Sequence, residues 1–166
     1  MSIHKILVAT DFTEASDAAI ESALDLASRL GASVTLAHTY ELPTYGIGDP
    51  NLVMPMVEVA SDLSRTLEQT MENEVETRRY RGVPLGHVVR MGPAPDAINA
   101  VAEEIGADLI IVGTHGRTGL AHVLLGSTAE SIVRGATRAV MIVRSGAPPL
   151  EQDTHARQGT GPGRAA

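Results

Sequence analysis

The sequence predicts a single α/β domain built on a five-stranded parallel sheet covered by helices. Short apolar runs alternate with helical patterns along the first 144 residues, which is typical of this architecture. A chain of 166 residues is long enough to bury a substantial core, and a hydrophobic share of 43% is ordinary for a globular protein. No internal repeat divides the chain, so one domain is predicted for residues 1–144.

The strands and helices follow from these alternating patterns. Strands are predicted over residues 3–10, 33–39, 85–90, 107–112 and 139–144. Between them lie a helix from about Thr13 to Gly31, a loop at 41–52, a long helix, and helices over 95–105 and 127–134. Because proline fits only the first turn of a helix, the long helix should begin near Pro55 and run to about Arg81.

The stripe predicted to be buried on that long helix repeats at intervals of three and four residues. It consists of Val53, Met56, Val57, Ala60, Leu63, Leu67, Met71 and Val75. Arg78, Arg79 and Arg81 suit the negative end of the helix dipole and are predicted to form a solvated face. From Ser145 onward the chain lacks apolar periodicity, so a disordered tail is predicted for residues 145–166.

Composition excludes several classes of function. The chain has no cysteine, which rules out disulfides and thiolate metal sites. It shows neither a secretory signal nor an apolar run long enough for a membrane span, so we expect a cytoplasmic protein. A net charge of −7 and few aromatic residues make nucleic acid a poor partner. A small anionic ligand is still compatible with this charge, because backbone amides can bind it.

The most informative segment covers residues 113–130, GTHGRTGLAHVLLGSTAE. It follows the most apolar predicted strand, at the edge where open α/β sheets bind ligands. Four glycines allow a ligand to approach the backbone, and Ser127 opens a helix whose first amides are unpaired. Ser127 and Glu130 also fit a capping box. The segment therefore suits an anion such as phosphate.

Spacing alone leaves an ordinary strand end and helix cap equally open. The phosphate-loop pattern GxxxxGK[ST] is absent, and the one lysine of the chain is Lys5. The dinucleotide pattern GxGxxG is absent as well. A dehydrogenase or a standard phosphate-loop protein is thus unsupported.

The full arrangement resembles the universal stress protein family. The glycine spacing Gly113-x2-Gly116-x9-Gly126-Ser127 after DLIIVG is similar to that family's nucleotide-binding loop. The opening KILVATDFTEAS, the stretch LLGSTAESIVRGA and the terminal VMIVR are similar to it too. The resemblance covers about residues 1–144.

This resemblance implies a flavodoxin-like (Rossmann-like) sheet of order 3-2-1-4-5 with helices on both faces, and a homodimer formed through the last strand, residues 139–143. It also implies the family's ATP-binding branch, acting as a nucleotide-dependent module in the stress response, with ATP (or ADP or AMP) accompanied by Mg²⁺. By this resemblance Gly116, Arg117, Gly126, Ser127 and Thr128 hold the phosphates. Val112 and Gly113 line the ribose and base, Thr10 and Asp11 face the nucleoside, and the backbone of Thr39 reads the adenine edge.

Several alternatives stay open at this point. Asp11 could merely cap the first helix, or it could hold a metal in a slow ATPase or nucleotidyl transferase. A structural protein that binds no nucleotide is a third possibility. His115 and His122 flank the glycine segment without the further ligands that a metal site needs. His38, on a predicted buried strand, is expected to be a hydrogen-bonded core histidine.

Overall fold

The computed structural model of the chain describes residues 2–42, 50–79, 82–114 and 126–144, with residues 50–56 described by their backbone alone. Within these residues the chain alternates five strands and four helices. In order they are β1 (Lys5–Ala9), α1 (Glu14–Leu30), β2 (Ser33–Tyr40), α2 (Pro50–Arg78), β3 (Leu85–Met91), α3 (Ala94–Glu104), β4 (Leu109–Gly113), α4 (Ser127–Gly135) and β5 (Ala139–Val143). The predicted order of elements is confirmed.

The strands form one parallel sheet in the order β3-β2-β1-β4-β5. Its central strand, β1, pairs with β2 on one side and with β4 on the other. β1 and β4 are nearly continuous apolar runs, as expected for strands that helices bury on both faces. Alternate residues of β1 accordingly enter two separate cores: Ile6 and Val8 pack under α1 and α2, whereas Leu7 packs under α3 and α4.

Both termini of helix α1 carry residues that are typical of helix caps. Thr13 is the N-cap and forms a capping box with Ser16, so two backbone amides at this terminus are satisfied reciprocally. Gly31 closes the helix in the left-handed conformation, with φ 67°. The predicted limits of this helix, from about Thr13 to Gly31, are confirmed.

Helix α2 begins earlier than predicted. It starts at Pro50, so Pro55 lies inside the helix and not at its first turn. Pro50 supplies a first helical residue that needs no amide donor, and Pro55 then forfeits one early hydrogen bond without ending the helix. The predicted loop is correspondingly shorter, and residues 43–49 of it lie outside the described residues.

The predicted buried stripe of α2 is correct only toward the carboxyl end of the helix. Met71 and Val75 are buried, at 0% and 4% exposure, whereas Val57 is 59% exposed. Ala60, Leu63 and Leu67 are half-buried. The side chains of Val53 and Met56 lie outside the described residues. The apolar face of α2 is therefore buried in the core only at its carboxyl end, at Met71 and Val75.

The prediction of a solvated arginine face is wrong for Arg78. Its side chain is 15% exposed and forms ion pairs with Asp17 and Glu21 of α1 and with Glu74 of its own helix. Because these carboxylates lie on two helices, Arg78 ties α2 to α1. Arg79 remains exposed beside Glu76, and Arg81 lies outside the described residues.

No helix in the described part of the chain is long and apolar enough to cross a membrane. The predicted disordered tail, residues 145–166, lies outside the described residues.

The end of β4 packs against the first turn of α1 without room for a side chain. A Cβ added to Gly113 would lie 2.6 Å from the backbone oxygen of Ala15 and 2.8 Å from its carbonyl carbon. Backbone atoms cannot move aside as the end of a flexible side chain can. Gly113 therefore sets how closely the strand and the helix approach each other.

We expect Gly113→Ala to lower the free energy of unfolding by about 1–3 kcal/mol, since β4 and α1 must separate to admit the methyl group. The matched control is Gly86→Ala in β3, where an added Cβ meets nothing within 4 Å. Urea denaturation of both variants measures the difference. Equal stability of the two would contradict the packing argument.

Side-chain hydrogen bonds also join the beginnings of β1 and β4. The Asp108 carboxylate accepts hydrogen bonds from the amides of His4, at 2.8 Å, and Lys5, at 3.0 Å. Lys5 Nζ also donates to the carbonyl of Ile105. The two backbone hydrogen bonds favour the charged carboxylate and hold the pKa of Asp108 below its ordinary value of 3.8.

Because the pKa of Asp108 is lowered in the folded state, its stabilising contribution is present above pH 3.8 and is lost as the pH falls below that value. We expect Asp108→Asn to be less stable than the wild-type protein at pH 7, and the difference to shrink on acidification. Urea midpoints between pH 7 and pH 3 test this, with the exposed Glu72→Gln as the control. A difference in stability between the two proteins that stays constant with pH would show that the charged Asp108 carboxylate does not stabilise the fold.

Candidate functional site

A cleft of about 590 Å³ opens at the carboxyl edge of the sheet. It lies where the strand order reverses, because the connections from β1 and β4 leave the sheet toward opposite faces. The first turn of α4 and the amino-terminal turn of α3 border it on one side, and α2 borders it on the other. Open α/β sheets bind their ligands at this position.

Most residues singled out from the sequence line this one cleft. They are Thr10, Asp11, Thr39, Val112, Gly113, Gly126, Ser127 and Thr128. Gly116 and Arg117, predicted to bind phosphate, lie outside the described residues, as do His115 and His122. Residues more than 100 positions apart in the chain are thus brought together, because parallel strands all end at the same edge.

Asp11 lies in a tight turn between β1 and α1. Its Oδ1 accepts hydrogen bonds from the hydroxyl of Thr13, at 2.6 Å, and from the amide of Thr13, at 3.2 Å. The N-cap is Thr13 itself, so Asp11 acts on the helix through the capping residue and not as the cap. This turn fixes one carboxylate oxygen while the residue still lines the cleft.

The same turn contains a backbone conformation that few side chains adopt. Phe12 has φ 62°, and its amide donates to the hydroxyl of Thr10, which is itself hydrogen-bonded to Ser16. The left-handed region is costly for a bulky residue. Such strain persists only where the surroundings hold it in place, and it clusters at functional sites.

His38 supplies part of that support. Its side chain is buried, Nδ1 donates to the carbonyl of Thr10 at 2.8 Å, and its ring lies 4.5 Å from that of Phe12. A carbonyl can only accept, so the hydrogen bond places a proton on Nδ1. The predicted hydrogen-bonded core histidine is confirmed, and the residue also lines the cleft.

The amino terminus of α4 differs from the predicted capping box. The N-cap is Gly126, and no side chain of the residues that the structure describes caps the helix. Ser127 is the first helical residue, and Glu130 pairs with Arg134 one turn further along. Glycine has no side-chain oxygen to offer, so the predicted reciprocal hydrogen bonds cannot form.

Among the described residues, the amides of the first turn of α4 precede the hydrogen bonds of the helix itself. The first intrahelical hydrogen bond is donated by the amide of Glu130 to the carbonyl of Gly126. Ser127, Thr128 and Ala129 precede it, and all three line the cleft. Unpaired amides and the positive end of the helix dipole attract anions.

Thr114 anchors this terminus to the sheet. Its carbonyl accepts from the amide of Gly126, and its own amide donates to the carbonyl of Val143 at the end of β5. Thr114 is 2% exposed. The entrance to α4 is therefore held against both β4 and β5.

The apolar part of the cleft lining contains residues that the sequence did not single out as site residues. Leu63 and Leu67 of α2 line the cleft, and so do Ala37 of β2 and Ile98 of α3. The periodicity of α2 predicted that its two leucines would be buried and could not show that they would reach the cleft. Glu41, directly after β2, is a second acidic residue in the lining. Within residues 2–42, 50–79, 82–114 and 126–144, no group of three or more histidine or acidic side chains could hold a metal ion.

Comparison with known proteins agrees with this architecture. The model of the universal stress protein family matches residues 2–144. Universal stress protein A homolog 2 of Coxiella burnetii is 36% identical over 143 residues, which cover 84% of this chain and 94% of that protein.

Solved structures give the same result. Protein MJ0577 of Methanocaldococcus jannaschii is 26% identical and superposes with a TM-score of 0.71 over 87% of this chain and 97% of its own. The universal stress protein of Archaeoglobus fulgidus, solved in complex with dAMP, has a TM-score of 0.53 at 22% identity, covering 86% of this chain and 98% of that chain. At that identity the likeness is one of fold. The extent of the family match and the 36% identical relative show that the chain belongs to the universal stress protein family.

Proposed function

We propose that the cleft binds ATP and that the chain acts as a nucleotide-dependent regulatory module in the stress response. The observation that carries this proposal is the uncapped amino terminus of α4, whose amides line the cleft at the carboxyl edge of the sheet. A triphosphate supplies the negative charge that such a terminus favours.

Backbone amide donors allow an acidic protein to bind a polyanion. The chain carries a net charge of −7, so its overall field does not attract a polyanion. Amides and a helix dipole act locally and need no positive side chain. We assign the phosphates to Gly126, Ser127 and Thr128, and by the family's glycine pattern also to Gly116 and Arg117.

The other end of the cleft suits the nucleoside. Thr10, Asp11, Thr39, Val112 and Gly113 lie at the ends of adjacent strands and line the same space. We assign the ribose and base to them, with the backbone of Thr39 reading the adenine edge. The dAMP complex of the Archaeoglobus fulgidus relative supports an adenine nucleotide.

Binding is favoured over turnover by the place of Asp11, which we assign to the nucleoside and not to the terminal phosphate. One of its carboxylate oxygens also accepts two hydrogen bonds from Thr13. Hydrolysis would require a group that positions water or a metal beside the terminal phosphate. We therefore propose that Mg²⁺ enters with ATP as the partner of its phosphates, and that ligand occupancy rather than turnover is the signal.

We expect Ser127→Asp to weaken ATP binding by about tenfold or more, because the added carboxylate lies at the proposed phosphate site. Ser127 is exposed, and an acidic residue in the first turn of a helix is stabilising, so the melting temperature should not fall. Ser127→Asn is the neutral control of matched shape. Titration calorimetry with ATP, ADP, AMP and cyclic AMP, with and without Mg²⁺, measures the effect.

Two results would count against this function. A wild-type protein that binds none of the four nucleotides would remove it. A Ser127→Asp variant that binds ATP as tightly as Ser127→Asn would show that the phosphates lie elsewhere.

We also propose that the protein forms a homodimer through β5. This strand pairs with β4 on one side, and no described strand pairs with its other side. Ile142 on β5 is 40% exposed. An exposed apolar edge strand tends to pair with another chain, and a second copy of β5 would cover it.

We expect Ile142→Lys to weaken self-association by about tenfold or more, since a charge at a strand edge opposes pairing. Val57→Lys is the control, because Val57 is also exposed, at 59%, and lies on α2. Sedimentation velocity over a micromolar concentration series distinguishes the two variants. A wild-type monomer at these concentrations, or equal weakening by both substitutions, would exclude an interface centred on β5.

A further inference from the structure

Helix α2 is much longer than the strands it packs on. Its 29 residues span roughly 43 Å, whereas the 7 residues of β3 span roughly 23 Å. The helix leaves the carboxyl end of β2 and returns to the start of β3, so its excess length lies at the carboxyl edge of the sheet. The cleft opens at this same edge.

One face of α2 changes its surroundings along its length. Leu63, Leu67, Met71 and Val75 follow at intervals of four and share that face. Met71 and Val75 are buried against the core under α1 and α2. Leu63 and Leu67 are only half-buried, and both line the cleft. The helix thus presents two half-buried leucines to the site.

The polar groups that we assign to the phosphates lie on a different helix from Leu63 and Leu67. The amides suited to phosphate belong to the first turn of α4. The two leucines are the apolar part of the lining on the α2 side, whereas Ala37 and Ile98, which also line the cleft, belong to the core on the other face of the sheet. A nucleobase has apolar faces and polar edges, so one of its faces matches the two leucines.

We infer that Leu63 and Leu67 are base-binding residues, forming the apolar wall against which the nucleobase packs. This inference rests on the proposed nucleotide function and assigns to α2 the recognition of the base. It divides the site into two independent parts: leucines on α2 for the base, and amides on α4 for the phosphates. The base part contributes equally to the binding of ATP and of adenosine, since both carry it.

The test uses three probes: ATP, adenosine and inorganic tripolyphosphate. We expect Leu67→Ser to weaken the binding of ATP and adenosine by the same factor, about five- to thirtyfold, through loss of apolar contact. Its affinity for tripolyphosphate should not change. Ser127→Asp should show the reverse pattern, with weaker ATP and tripolyphosphate binding and nearly unchanged adenosine binding. Titration calorimetry measures all three.

Two control variants separate base binding from a general loss of structure. Val59→Ser changes an apolar residue of the same helix that is 61% exposed and does not line the cleft, and it should bind all three probes as the wild type does. Leu67→Met keeps the volume and the apolar character, so it should retain adenosine affinity. Melting temperatures of each variant show whether the fold is intact.

The outcomes distinguish this inference from the function on which it rests. If the wild type binds ATP but Leu67→Ser binds ATP and adenosine equally well, the α2 wall is refuted and the nucleotide function stands. If Leu67→Ser weakens tripolyphosphate binding as much as ATP binding, Leu67 stabilises the site as a whole, and the inference that it binds the base is refuted. A wild type that binds none of the probes overturns the proposed function itself.

Discussion

The parallel pairing of β1 with both β2 and β4 determines where the helices and the cleft lie. It sends α1 and α2 to one face of the sheet and α3 and α4 to the other. The connections must therefore separate at the carboxyl end of β1, and a cleft opens between them. Two sets of contacts hold elements that border it: the backbone of Ala15 lies against Gly113, and Thr114 forms hydrogen bonds with Gly126 and Val143.

Stability and site geometry are supplied by the same short turn after β1. Phe12 adopts a conformation that costs free energy, and the turn is held by the hydroxyl of Thr10, the ring of His38 and the capping box of Thr13. The turn places Asp11 in the cleft lining while it starts α1. A change in any of these contacts would therefore affect both the helix and the site, which couples folding to function at this position.

Much of the fold could be predicted from the sequence because its signals are local. Strands buried on both faces are continuous apolar runs, and helix ends carry Thr13, Gly31 and Gly106. The prediction was wrong at three positions of α2. Pro55 lies within the helix, Val57 is exposed, and Arg78 is largely buried beside carboxylates of α1. The α1 partners of Arg78, Asp17 and Glu21, are far from it in sequence, so residue type alone could not reveal them.

The family, the order of elements and eight residues of the cleft lining could be read from the amino-acid sequence, because glycine spacing and strand ends are patterns of consecutive residues. What those residues contact follows from the folded chain. It assigned the N-cap of α4 to Gly126 in place of a Ser127–Glu130 box, and it directed Asp11 Oδ1 to Thr13. It also brought Leu63 and Leu67 to the cleft, because the reach of α2 beyond the sheet depends on how two elements of unequal length pack together.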